Sequence, residues 1–211
     1  MKRIYILFLI AMIGFFVSCS QEETMERVVF KNKPLTLNFP NYVLPAYYKK
    51  NIIKLNTARF KGQWIVLFFY PADFTFVCPT ELKDLSDLQK EFDIVKAQVV
   101  AVSTDSEYVH RAWFTTTESL KGVKYPILAD RAGKLSRAMG VFNEKTGTAY
   151  RASFIISPEG KVVAAEYHHD DIGRSAEELL RKLHAAIAVR NGGGGYCPAN
   201  WKKGDKLIKG N

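Results

Sequence analysis

The chain has 211 residues, of which 47% are hydrophobic and 24% charged; this is the composition of a folded globular protein and excludes disordered and collagen-like classes. The length predicts a single domain with a full core. The formal net charge of +9 is scattered rather than gathered with aromatic residues on one stretch, so it predicts solubility and weak attraction to anionic surfaces, not nucleic-acid binding.

In chain order, Met1, Lys2 and Arg3 precede an apolar run from Ile4 to Val17, then Ser18 and Cys19. A charged start, a short apolar stretch and a small residue predict a secretory signal over 1–18. The run is shorter than the roughly 20 apolar residues of a membrane-spanning helix, although a retained N-terminal anchor helix is the alternative. Phe16-Val17-Ser18-Cys19 resembles the lipobox of bacterial lipoproteins. That resemblance implies lipidation of Cys19 as the mature N-terminus, a membrane anchor, and residence in the periplasm or cell envelope. The alternative is cleavage nearby that leaves Cys19 a plain thiol. Loss of 1–18 leaves 28 basic against 21 acidic residues.

Residues 19–45 mix polar residues and proline without a sustained period, which predicts a tether or an N-terminal hairpin. The main domain is expected over 46–190. Trp64 to Tyr70 is an unbroken apolar and aromatic run, the pattern of a strand buried on both faces. Pro71 ends it, and a loop with Asp73 and Thr75 leads to Cys78-Pro79-Thr80-Glu81. A helix should start there, because proline suits a first turn and Leu82, Leu85, Leu88 and Phe92 recur at near-helical spacing. Further on, a strand at Val95–Val102, a helix from Ser106 to Thr116, a strand at Tyr125–Leu128 and a helix at Ala132–Met139 imply βαβ units. Phe154-Ile155-Ile156, the turn 157–160 and Lys161 to Tyr167 read as a hairpin. Ser175 with Glu178 reads as a capping box for a last helix carrying Leu179, Leu180, Leu183 and Ile187. Gly192 to Gly195 then predict a flexible tail over 191–211 that carries Cys197.

The chain has three cysteines. With Cys19 lipidated, two remain, and in an exported protein the default is a structural disulfide. The surroundings of Cys78 point elsewhere. A thiolate is the nucleophilic form of cysteine, and helix N-termini and nearby cations favour it. Cys78 stands where a helix should begin. Thr75 offers a hydroxyl three residues earlier, Pro71 a pocket wall without an N–H, and Arg151 and Arg174 fixed positive charge for a thiolate and a leaving oxyanion. Each also has a structural reading: a buried core cysteine, a turn-capping threonine, a strand-flanking arginine, an exposed loop charge.

Pro71-Ala72-Asp73-Phe74-Thr75-Phe76-Val77-Cys78-Pro79-Thr80-Glu81 resembles the peroxidatic motif of the typical two-cysteine peroxiredoxins, particularly the bacterial alkyl hydroperoxide reductase C type. The resemblance continues through Tyr125 to Asp130, Arg151 to Ile156, Gly173-Arg174-Ser175 and Cys197-Pro198-Ala199-Asn200-Trp201. It implies an α/β thioredoxin-like fold with peroxiredoxin insertions, a central mixed sheet flanked by helices, and a C-terminal tail carrying the second cysteine. It further implies that Cys78 is peroxidatic, that Thr75 and Arg151 complete its triad, and that Pro71 shields the pocket. Glu81 would orient Arg151 and the second arginine, Arg174, and Cys197 would be resolving. The expected substrates are hydrogen peroxide and organic hydroperoxides, with a thioredoxin-like or other dithiol as reductant and no cofactor. In the family the resolving cysteine comes from the partner of a homodimer, and five dimers often form a ring.

In readily over-oxidised members a Tyr-Phe pair and a Gly-Gly-Leu-Gly segment are present; here Glu118 to Val123 and a tail ending at Asn211 stand instead, which predicts resistance to over-oxidation. A disulfide reductase would need a second cysteine three positions after Cys78, where Glu81 stands. A metal site at His168 and His169 is weaker still, because adjacent strand residues point to opposite faces.

Overall fold

The computed structural model describes Leu35 and residues 37–210. The signal, Cys19 and most of the expected tether lie outside the described residues.

A hairpin opens the fold. β1 (Val43–Tyr48) and β2 (Asn51–Asn56) pair antiparallel, joined by Lys49 and Lys50 at φ 48° and 66°, the left-handed pair that a two-residue reversal requires. The hairpin therefore runs from 43 to 56, and the expected division at 45/46 falls inside β1.

β3 (Trp64–Phe69), β4 (Ala97–Ser103) and β5 (Ile127–Ala129) follow as parallel neighbours. A two-stranded ribbon, β6 (Phe142–Asn143) and β7 (Thr148–Ala149), stands apart. β8 (Arg151–Ile156) and β9 (Val162–His168) form the predicted hairpin, and β8 lies antiparallel to β3. The seven-stranded sheet has the order β2-β1-β5-β4-β3-β8-β9.

Every residue of β3 is buried because both sheet faces are covered. Trp64, Val66 and Phe68 pack with Leu82 and Leu85 of α1 (Cys78–Asp87), Phe92 of α2 (Gln89–Ile94), Trp113 of α3 (Glu107–Thr116) and Leu179 and Leu183 of α5 (Ala176–Asn191). Ile65, Leu67 and Phe69 pack on the other face, with Leu135 of α4 (Lys134–Ala138) and Phe154. A side chain taken fully out of water in this way contributes about 1.5–3 kcal/mol. This explains why a continuous apolar run, rather than an alternating one, marks the central strand.

Two helices differ in detail from the sequence expectation. The helix that starts at Cys78 is broken at Leu88 (φ −90°, ψ 8°), so Phe92 belongs to α2. At α5, Ser175 accepts from the Glu178 amide at 3.1 Å, but the Glu178 carboxylate takes Arg181 at 2.6 and 2.8 Å instead of reaching back to complete the box.

The tail over 191–210 is folded against α5 and is not a loose link. Gly193 and Gly194, at φ 61° and 98°, reverse the chain, as left-handed backbone favours glycine. Tyr196 then bridges to Ile208, Trp201 is buried, and Arg181 of α5 donates to the Trp201 carbonyl at 2.8 Å.

Candidate active site

The parallel strands β3, β4 and β5 all point their carboxyl ends to one edge, where open α/β sheets place their sites. Pro71, half-buried, follows Tyr70 there, and the loop 71–77 crosses to α1. Burial of a polar cluster fixes that loop. Asp73 accepts from the Tyr70 hydroxyl at 2.7 Å and faces His110 Nδ1 at 2.7 Å, while its amide donates to Asp105 at 2.9 Å. Ser103 at the end of β4 donates to the same Asp105 oxygen at 2.7 Å. Burial raises the Asp73 carboxyl above its ordinary value, against the pull of the His110 contact. The next residue, Phe74, is held at φ 55° and is exposed. A bulky side chain at positive φ is a strained conformation of the sort found beside functional groups.

Cys78 is the first residue of α1, with Pro79 following in the first turn. Its side chain is wholly buried, and the N-terminal end of the helix favours negative charge there. Arg151, the first residue of β8, brings Nη1 and Nη2 to 3.6 and 3.7 Å from Cys78 Sγ. The same guanidinium donates from Nε and Nη2 to the Asp170 carbonyl at 3.2 and 2.7 Å, which fixes its plane. Glu81, one turn after Cys78 on α1, accepts from Arg151 Nη1. It also accepts from the Arg174 amide at 2.7 Å and from Arg174 Nε and Nη2, each at 3.0 Å. Arg174 lies 3.4 Å over the Phe68 ring, a geometry that favours a cation on an aromatic face. Burial pulls its guanidinium below the ordinary arginine value, and Glu81 works in the opposite direction. Glu81, Arg151 and Arg174 are only 2%, 2% and 5% exposed.

The structure thus brings Cys78, Glu81, Arg151 and Arg174 together. Arg174, whose sequence-level alternative was an exposed loop charge, is buried. The Thr75 hydroxyl donates to the Ala72 carbonyl at 2.9 Å, which leaves its oxygen an acceptor. Cys197 sits partly exposed in the tail, and both it and Cys78 are free thiols. The sequence reading missed the Asp73–His110–Asp105 cluster and the partners of Arg174 beyond Glu81. Asp73 stood in the motif, but His110 is 37 positions away, and nothing local in the sequence pairs them.

The fold and this arrangement define a thioredoxin-like protein whose first helix after the central strand begins with a guanidinium-bound cysteine. The chain matches the model of the AhpC/TSA family over residues 17–165, and it belongs to that family. It is 45% identical to alkyl hydroperoxide reductase C of Ferdinandcohnia aciditolerans over 157 residues, covering 74% of this chain and 94% of that one. With alkyl hydroperoxide reductase C of Escherichia coli K12 it shares 42% identity over 163 residues, 77% of this chain and 87% of the relative. Among solved structures, it is similar to Enterococcus faecalis AhpC with a TM-score of 0.76 and 43% identity, covering 79% of this chain and all of that one. It is also similar to the reduced two-cysteine peroxiredoxin of Plasmodium vivax, with a TM-score of 0.78 and 29% identity over 83% of this chain and 93% of that one.

Proposed function

We propose that the chain is a thiol-dependent peroxidase in which Cys78 reduces hydrogen peroxide and organic hydroperoxides, and Cys197 resolves the product. The observation that carries this reading is the buried guanidinium of Arg151 with both terminal nitrogens on Cys78 Sγ. Arg151 and Arg174 against Glu81 leave one positive charge in excess, which an ionised sulfur balances. A hydroperoxide entering beside Sγ meets guanidinium donors for its oxygens and the Thr75 oxygen as an acceptor for its O–H. The thiolate forms the S–O bond as the O–O bond breaks, and Arg151 steadies the departing hydroxide or alkoxide until it takes a proton. Cys78 is left as a sulfenic acid. Condensation with the Cys197 thiol then forms the S–S bond and releases water. A dithiol reductant returns both cysteines to thiols and leaves as a disulfide.

The sulfur of Cys78 is enclosed, so the second step requires the first turn of α1 to unwind and the tail to leave α5 before disulfide geometry is reached. We assign Cys197 of a second copy to this step, in a homodimer, with Pro71 walling the pocket. Export and a lipid anchor at Cys19 remain part of the proposal on the strength of the Met1–Cys19 pattern alone. Mass spectrometry of the membrane-extracted N-terminus tests that part.

The enzymatic reading is tested by peroxide consumption with a dithiol reductant. Wild type should turn over. Cys78→Ser should be inactive, and Cys197→Ser should react once and stop. Unchanged turnover in Cys78→Ser would sink the reading.

A further inference from the structure

One row of side chains crosses the sheet face that carries α1, α2, α3 and α5. Phe68 of β3 is register partner to Ser153 of β8, and Ser153 to Glu166 of β9. Arg151 lies two residues before Ser153 and so shares its face. The Ser153 hydroxyl donates to Glu166 Oε1 at 2.8 Å and accepts from Arg174 Nη1 at 3.3 Å. The other Glu166 oxygen accepts from Lys182 Nζ of α5 at 2.6 Å. Ser153 is 1% exposed, whereas the Lys182 side chain is 32% exposed. The chain of contacts therefore runs from the protein surface to the reacting sulfur: Lys182, Glu166, Ser153, Arg174, Glu81, Arg151, Cys78.

We propose that Ser153, Glu166 and Lys182 are positioning residues for peroxide reduction, which act by fixing Arg174 and, through Glu81, the guanidinium that faces Cys78. A hydroxyl has one proton. Because Glu166 is an acceptor only, it draws that proton outward and turns the Ser153 lone pairs toward Arg174. Three edges of the Arg174 guanidinium are then engaged: Nε and Nη2 by Glu81, and Nη1 by Ser153. Its plane lies on Phe68, and Glu81 is held in one orientation for Arg151. Glu166 also supports the positive charge of Arg174 at a distance. A cation at position 166 would reverse the arrangement, turning the hydroxyl proton toward Nη1 so that donor meets donor.

This inference rests on the peroxidase reading and deepens it. The test is the single-turnover rate of Cys78 oxidation by hydrogen peroxide, measured with thermal melting on the same samples. The exchange E166K/K182E preserves an ion pair between β9 and α5 but reverses its direction. It should fold but melt somewhat below wild type, because Lys182 also faces Glu178 at 3.7 Å, and it should react about two- to thirty-fold more slowly, the range of couplings carried through such networks. E166Q keeps an acceptor for Ser153 and should lose less. A wild-type oxidation rate in the folded exchange variant would overturn the proposal, because a purely structural pair tolerates exchange. If the exchange variant does not fold, S153A and S153T decide: S153A should slow the reaction and S153T, which retains the hydroxyl, should restore it. Equal rates in all three chains would equally overturn it. A wild-type chain that leaves peroxide untouched contradicts the peroxidase reading itself, a different result from either of these.

Discussion

Arg151 connects three partners at once: the sulfur of Cys78, the Glu81 carboxylate and the Asp170 carbonyl. A lysine has one nitrogen on a flexible stem and cannot reproduce a planar fork. Removing one donor to a developing oxyanion typically costs about two to three orders of magnitude in rate. Arg151→Met should therefore lower the second-order rate constant with hydrogen peroxide by about that factor, and Arg151→Lys should recover only part of it; stopped-flow oxidation of Cys78 checks both. The sequence made Cys78, Glu81, Arg151 and Arg174 readable because the motif pattern names them, and the structure gathers them. Thr75 was less readable, since the destination of a hydroxyl proton depends on the backbone of its own loop. Ser153, Glu166 and His110 carry no local signal at all; register across β8 and β9 and the packing of α3 create their roles.

At the scale of elements, α1 encloses Cys78 and the docked tail carries Cys197, and the proposed disulfide requires each to yield. Arg181 is the clasp on the tail, gripping Glu178 with two nitrogens and the Trp201 carbonyl with the third. Arg181 holds the Glu178 carboxyl below the ordinary glutamate value of 4.5. A depressed carboxylate stabilises the folded form above that ordinary value, and the contribution disappears as pH falls through the lowered one. Acrylamide quenching of Trp201 fluorescence should therefore rise in wild type as pH falls from neutral to below the ordinary glutamate range. In Glu178→Gln it should already be raised at the upper pH; identical profiles would contradict the clasp. Trp201→Ala removes the buried anchor and should speed alkylation of Cys197 while leaving the single-turnover oxidation of Cys78 unchanged. The glycine run announced a flexible link, but glycines also permit a tight left-handed reversal, and the burial of Trp201 decides for a docked tail. Helix α5 was legible from its stripe and cap, whereas the break at Leu88 was not, because Leu82 to Phe92 keep a helical period across it.

For the whole molecule, the core faces were readable from the apolar run of β3, while the surface of the proposed homodimer was not. Phe76 is 95% exposed, and Phe74 and Tyr108 are also exposed. Phe74 lies 6.0 Å from the buried Trp113, while Phe76 of the same loop stands in solvent. We propose that Phe76 lies on the surface that a second copy covers. In keeping with the proposed oligomer, Phe76→Glu should shift sedimentation of wild-type assemblies toward smaller species and leave the melting of the subunit largely intact. No change in sedimentation would place the interface elsewhere. The segment Glu118–Val123 leads us to expect little sulfinic acid at Cys78 under modest peroxide. All of these effects depend on Cys78 being the atom that peroxide meets first and Cys197 being the thiol that follows. Peptide mapping without reductant, after one equivalent of hydrogen peroxide, asks this directly. Wild type should give a Cys78–Cys197 disulfide, and Cys197→Ser a sulfenic acid at Cys78; a Cys78 that remains an unmodified thiol while peroxide disappears would contradict this chemistry.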